Sequence, residues 1–178
     1  MSHLPTGITV GDVVQLDANG KLPVIGGGSL TGLLAYEYLL YLSSDQAYGS
    51  IALGGVVLLA NVIPAGGVVS AAAGTVTLPA NSKCFLYFCA GIIGASVDAD
   101  WSAWQWYDTT GGGATPIGVI GTGMASRTTT SQMPAAAAIA YVATAGSTAT
   151  VQVRRVIAGG VNSGMESTAT VAYIRVYK

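Results

Sequence analysis

Hydrophobic residues in this chain form short alternating segments separated by clusters of Gly, Pro, Asn and Ser, a pattern that predicts β-strands joined by turns. The longest segment, residues 83–93, is apolar at both alternating sets of positions, so we expect a strand buried on both faces. Turn residues at 79–82 separate it from the short alternation at 75–78, and the two segments are predicted to pair as a hairpin within an antiparallel sheet. The first set of the long segment is Cys84, Leu86, Phe88 and Ala90, and the second is Phe85, Tyr87 and Cys89.

Two other segments allow a helix or a strand, and in both a strand is favoured. In residues 36–42, Tyr38 and Tyr41 fit helical spacing, but aromatic enrichment and the alternation of Tyr36 with Tyr38 favour a strand. Residues 134–140 are rich in alanine, the best helix former, yet seven residues are too few for an isolated helix. The remaining predicted strands are residues 50–59, 67–71, 75–78, 102–108, 117–120, 137–143, 148–157 and 168–177. Their number and spacing predict an all-β antiparallel sandwich.

Residues 1–34 differ from the rest of the chain. A short strand at 11–17 is followed by a turn with Asn19-Gly20 at its corner, an extended segment at 22–25 and a glycine hinge at 26–28. A hairpin of this size is marginally stable alone and should pack on a partner. We therefore divide the chain into an extended N-terminal arm with a short hairpin, residues 1–34, and a body, residues 35–178.

The arm sequence GDVVQLDANGKLP at 11–23, with GSLTGL at 28–33, resembles a segment found in tail fibres, head fibres and capsid decoration proteins of tailed bacteriophages. The resemblance implies an arm that attaches a trimeric virion protein to its neighbours. This chain departs from the commoner form after Pro23, where Val-Ile-Gly-Gly replaces Ala-Val-Asp-Gly and an acidic residue is missing. The alternative is a generic Asn-Gly hairpin. The arm residues assigned to partner binding are Val10, Asp12, Val14, Leu16, Leu22, Pro23 and Leu30.

The layout of the body resembles the trimeric jelly rolls of the tumour-necrosis-factor and C1q type. Its last strand alternates clearly, with Thr170, Ala172, Ile174 and Val176 on one face, and it ends one residue before Lys178. A chain that ends inside a sheet is typical of such subunits. The resemblance implies a jelly-roll sandwich over residues 35–178.

The chain carries few charges: seven Lys and Arg and eight Asp and Glu residues make up 8% of it, against about 25% in ordinary soluble domains. Such a surface is sparse for a free monomer, and we expect a homotrimer whose flanks are covered. A net charge of −1 gives no basic stripe, so no nucleic-acid partner is expected. We also expect no signal peptide. We expect no membrane span either, because Asn61, Pro64 and several glycines interrupt the uncharged residues 46–82.

Candidate chemistry is scarce. Cys84 and Cys89 should point to opposite faces of one strand, which prevents a mutual disulfide, and the single histidine, His3, lies in the arm. We therefore expect no metal and no cofactor; a calcium site at Asp98 and Asp100 is the alternative, although it lacks ligands. The pair Arg154 and Arg155 should put at most one guanidinium in the core, where it would need a carboxylate.

Trp104 and Trp106 are the candidate ligand contacts, because they share a strand face near Trp101 and Tyr107 and could stack a sugar. The alternative is a sandwich core position plus a trimer-interface position. The leading hypothesis is a non-enzymatic virion protein: a homotrimeric decoration (cement or head-fibre) protein that binds the major capsid protein or another virion protein through its arm. The alternatives are a receptor-binding tail-fibre tip that contacts host glycan and a glycan-degrading enzyme with Glu37 or Asp108 as its acid.

Overall fold

In the computed structural model, the described residues are 35–93, 100–125, 137–158 and 163–178. They form thirteen β-strands and, apart from one 3-10 turn at Thr110–Gly112, no helix, so none of the described segments is a helix that could span a membrane. The strands are β1 (Ala35–Leu42), β2 (Gln46–Ile51), β3 (Leu59–Ile63), β4 (Ser70–Ala72), β5 (Thr75–Leu78), β6 (Lys83–Cys89), β7 (Ile92–Ile93), β8 (Asp100–Asp108), β9 (Thr115–Ala125), β10 (Ala138–Ala143), β11 (Ala149–Ala158), β12 (Ser163–Met165) and β13 (Val171–Tyr177).

Ten strands pair antiparallel in the order β3-β1-β13-β6-β10-β9-β8-β11-β5-β4 and form two packed layers. The first layer is β3-β1-β13-β6-β10, and the second is β9-β8-β11-β5-β4. The layers are joined where β10 meets β9, through the single registered pair Ile139 and Val119. The strands β2, β12 and β7 form a separate three-stranded sheet in the order β2-β12-β7.

The strand order confirms the predicted jelly roll. The eight main strands in chain order are β1, β5, β6, β8, β9, β10, β11 and β13. Numbered 1 to 8 in that order, strands 1, 8, 3 and 6 are neighbours in the first layer, and strands 2, 7, 4 and 5 are neighbours in the second. Except for β8 and β9, which pair within the second layer, successive main strands therefore cross between layers, which is the arrangement of two Greek keys in a jelly roll. The predicted arm, residues 1–34, lies outside the described residues, so the division of the chain into arm and body stays a prediction.

The core lies between the layers and is built from one alternating face of each strand. The ring of Phe88 on β6 packs against Trp104 and Trp106 on β8, with centroids 6.3 and 6.5 Å apart. Trp106 also donates a hydrogen bond from Nε1 to the Ala138 carbonyl oxygen on β10, 3.3 Å away, which ties the two layers together. The alternation predicted for the two central strands is confirmed, and one set of each strand faces the core: Cys84, Leu86, Phe88 and Ala90 are buried, as are Thr170, Ala172, Ile174 and Val176.

Two predictions about β6 are wrong. Its second set of residues is not buried in the single chain, since Phe85 is 40% exposed, and the strand ends at Cys89, with Ile92–Ile93 pairing separately with β12. The hairpin with β5 does not form either: β5 pairs with β11 and β4, whereas β6 pairs with β13 and β10. The reason is that the turn at 79–82 crosses between layers, as a jelly roll requires.

The predicted strand over residues 50–59 is also wrong. β2 ends at Ile51, and a tight turn follows in which Gly55 donates a backbone hydrogen bond to the Ala52 carbonyl and Gly54 has a φ of +79°. Only an isolated bridge joins Val56 to Arg154 before β3 begins at Leu59. The strand predicted at 117–120 is longer than expected, Thr115–Ala125.

Candidate functional site

The outward surface of the first layer is the most unusual surface of the described chain. We call it the aromatic face. Because the even-numbered residues of β1, β13, β6 and β10 point into the core, the odd-numbered residues point away from it. The aromatic face comprises Asn61, Ile63, Ala35, Glu37, Leu39, Tyr41, Val171, Tyr173, Arg175, Tyr177, Lys83, Phe85, Tyr87, Cys89, Ile139, Tyr141 and Ala143.

The strand register arranges these side chains in rows across the sheet. One row is apolar from edge to edge and runs Ile63, Leu39, Tyr173, Tyr87, Ile139 and Val119. The adjacent row runs Glu37, Arg175, Phe85 and Tyr141. Large apolar side chains are well exposed here, including Leu39 at 44%, Tyr141 at 58% and Val119 at 59%. Monomeric proteins seldom leave such a contiguous patch open to water, so the aromatic face has the character of an interaction surface.

The polar groups of the aromatic face are connected to one another. The Arg175 Nε lies 3.4 Å from the Glu37 Oε1, and the Arg175 guanidinium lies over the Tyr177 ring, 5.4 Å from its centroid. Partial burial raises the pKa of Tyr173, and a hydrogen bond with the Glu37 carboxylate raises it further. The phenol therefore stays protonated and available as a donor at neutral pH.

The outward surface of the second layer is different in character. Gln152 donates to the Thr75 hydroxyl at 2.9 Å and accepts from the Arg154 guanidinium at 2.6 Å, and that guanidinium lies 5.4 Å from the Tyr107 ring centroid. Thr109 donates to Thr150 on the same side. These amide, hydroxyl and guanidinium groups are suited to contact with water. The second layer is therefore more polar than the aromatic face, although it also exposes Ile120 and Ile157.

Trp104 and Trp106 do not form a ligand platform. They share a strand face as the alternation predicts, but that face is the core side, and the residues are 1% and 0% exposed. The indole rings are packed against Phe88, so neither presents a surface to a sugar. This corrects their assignment as ligand contacts and agrees with the alternative of a core position. Tyr107, on the same strand, is partly exposed on the second layer.

The described residues do not assemble an acid–base or metal constellation. Among them, no group of three His, Cys, Asp or Glu side chains is close enough to hold a metal ion. Glu37 is engaged with Arg175 on the first layer, whereas the Asp108 carboxylate on the second layer accepts a hydrogen bond from the Thr110 backbone N–H at 2.8 Å, which caps a turn. The two proposed acids therefore serve separate structural contacts on different strands.

The remaining sequence-based candidates fall in three groups. Cys84 is buried and Cys89 is half-buried, on opposite faces of β6 as predicted, and no disulfide joins them. Arg155 enters the core, where its Nη1 donates to the Ile51 carbonyl oxygen at 2.7 Å, while Arg154 stays on the second layer's surface. The arm residues Val10, Asp12, Val14, Leu16, Leu22, Pro23 and Leu30, with Asp98, lie outside the described residues.

The low charge content of the sequence indicates only in general terms that part of the surface is covered. The specific signal was present in β13, whose odd positions carry Tyr173 and Tyr177 beside a single charge, and in β6, whose odd positions carry Phe85 and Tyr87. A strand with aromatic residues on its outward side indicates a covered face.

Comparisons with known proteins give a structural likeness but no relative. No protein family and no curated protein matches the chain. Two solved structures that it resembles are both of murine APRIL. The crystal structure at pH 8.5 has a TM-score of 0.48 and 10% identity, covering 82% of this chain and 100% of that one. The crystal structure at pH 8.0 has a TM-score of 0.45 and 10% identity, covering 80% and 100%.

Proposed function

We propose that this chain is a non-enzymatic structural subunit that assembles as a homotrimer through its aromatic face. The observation that carries the proposal is the apolar row from Ile63 to Ile139, which crosses the whole first layer, includes exposed Leu39 and continues to Val119 on β9. Burying such side chains is worth about 25 cal/mol per Å² of apolar surface. A closed ring of identical subunits covers every copy of the face and leaves the polar second layer in water.

Within that proposal, the assembly is a decoration protein on a virion, a cement or head-fibre protein attached to the major capsid protein or another virion protein. The support is the arm sequence at 11–23 and 28–33, together with the low charge content and the jelly-roll order of the body. The arm supplies attachment and the body supplies the trimer. The receptor-binding alternative loses its main support, because Trp104 and Trp106 are buried.

Two measurements test the proposal. Light scattering of the purified protein should give three times the 17.8 kDa of one chain; a mass of a single chain would refute the assembly. Sedimentation with empty capsids should carry the full-length protein down, whereas a variant that lacks residues 1–34 should remain trimeric in the supernatant. Adsorption to host cells without capsid binding would instead support the tail-fibre alternative, and glycan-cleavage assays should detect no product.

A further inference from the structure

Glu37 and Arg175 form a charged pair on the largely apolar aromatic face, whose other charged residue is Lys83. They are directly opposite on β1 and β13, and their side chains are 55% and 44% exposed. Phe85 continues their row on β6, and Leu39 and Tyr173 occupy the next row. On a free chain, water hydrates the atoms of the Arg175 guanidinium and the Glu37 carboxylate that do not contact each other. A partner that covers the aromatic face removes that water.

The pair leaves hydrogen-bonding capacity unused. A guanidinium has five N–H donors, and a carboxylate has about four acceptor positions. The described contacts of Arg175 are the Glu37 oxygen and the Tyr177 ring, so no described residue accepts a hydrogen bond from its two Nη groups. Burying these groups without new partners would cost far more than the apolar contacts around them return. Whatever covers the face must therefore bring an acceptor to the Arg175 Nη groups. The Glu37 carboxylate already accepts from the Tyr173 phenol, and it has room for a further donor.

A second copy of this chain brings both groups on the same surface. We propose that, given the self-association proposed above, the Glu37–Arg175 pair fixes the register in which copies meet, with Arg175 of one copy contacting Glu37 of its neighbour. Apolar contacts are non-directional and allow one sheet to slide over another, whereas a buried polar pair is satisfied in one alignment only. In a closed ring every copy gives and receives one such contact, so each Glu37 and each Arg175 is paired.

Mixed assembly of two charge patterns tests this register. The variant Glu37→Arg/Arg175→Glu keeps the pair within each chain but reverses its direction. Its own assembly should form, because all charges are reversed together. When it is co-expressed with wild-type chain under a different tag, native mass spectrometry should find mainly unmixed trimers, since a mixed ring places like charges together. A statistical mixture would overturn the proposal, because the pair would then act only within its own chain.

Neutral substitutions give an independent test that does not need charge reversal. Glu37→Gln or Arg175→Gln alone leaves one buried charge unpaired, so the dissociation constant of the assembly should rise on the order of a hundredfold. The double substitution Glu37→Gln/Arg175→Gln should be closer to wild type than either single variant. Small changes in all three, of about twofold or less, would mean an exposed pair and would also overturn the proposal.

The matched control is Arg154→Gln, which removes a guanidinium that contacts an aromatic ring on the second layer. It should change neither the mixing nor the dissociation constant. The outcomes separate the two proposals: a monomeric wild-type protein refutes the homotrimer itself, whereas a wild-type trimer that mixes freely with the charge-reversed variant refutes only the register.

Discussion

Phe88 and Phe85 lie on one strand three positions apart, and their surroundings differ. Phe88 is 1% exposed between the layers, in contact with Trp104 and Trp106, whereas Phe85 is 40% exposed on the aromatic face. Phe88→Ala should therefore lower the free energy of unfolding by about 3–5 kcal/mol, the usual cost of an emptied phenylalanine site. Urea unfolding measures this loss, at protein concentrations low enough to keep the chain monomeric. Phe85→Ala is the control and should cost less than about 1 kcal/mol under the same conditions; equal losses would mean that both side chains are in the core.

Asp45 gives the fold a pH-dependent contribution. Its carboxylate accepts hydrogen bonds from the Ser167 hydroxyl at 2.6 Å and from the Ser167 backbone N–H at 2.7 Å, and these bonds lower its pKa below the usual 3.8. A lowered folded-state pKa means stability that is present above pH 3.8 and is lost as the pH falls through the folded-state value. The difference in melting temperature between wild type and Asp45→Ala should thus be visible at pH 7 and shrink below pH 3.8. Ser167→Ala should reduce that difference; a gap that is constant with pH would contradict the assignment.

At the scale of elements, the corner between β9 and β10 depends on a glycine. Gly118 has a φ of +70°, and a Cβ there would collide with the Ile139 carbonyl oxygen and the Ala140 Cα on the adjacent strand. Gly118→Ala should lower the free energy of unfolding by about 2–5 kcal/mol, because the cost of the left-handed conformation adds to the cost of an over-packed contact. Thermal or urea unfolding measures this loss. Gly111→Ala is the matched control, because its φ is +74° but the space around it is open; it should cost about 1–2 kcal/mol. Equal losses would show that the corner tolerates a side chain.

The same scale shows what the sequence could predict. Alternation identified β1, β5, β6, β8, β10, β11 and β13, and the alternating sets of β6 and β13 were correct, because one buried face dictates a period of two. Which set of β13 faces the core was not predicted, and β6 was expected to be buried on both faces. Pairing was not predictable in the same way. The turn at 79–82 has the composition of a hairpin, yet it connects two layers, since turn residues specify a local change of direction and not the next partner strand.

At the scale of the whole molecule, low charge content indicated that surface must be covered, but not which surface. Trp104 and Trp106 were the candidate contacts in the sequence, but they are core residues. The candidate surface is instead built from outward side chains of five strands, which become neighbours only in the folded sheet. Residues far apart in the chain, such as Leu39, Tyr87 and Ile139, share a row through the register alone. A linear pattern therefore predicts the inward and outward sets of each strand but not the surface that they build together.

Leu39 provides the test of that surface as a whole. It lies in the apolar row between Ile63 and Tyr173 and is 44% exposed, so Leu39→Lys should leave the monomer folded while placing a charge where the neighbouring copy packs. The dissociation constant of the assembly should rise on the order of a hundredfold or more, as measured by analytical ultracentrifugation, because an unpaired charge is costly to bury. Thr77→Lys, on the outward side of the second layer, is the control and should leave assembly unchanged. If Thr77→Lys dissociated the protein and Leu39→Lys did not, the copies would meet through the polar layer, and the aromatic face would have to serve a different partner.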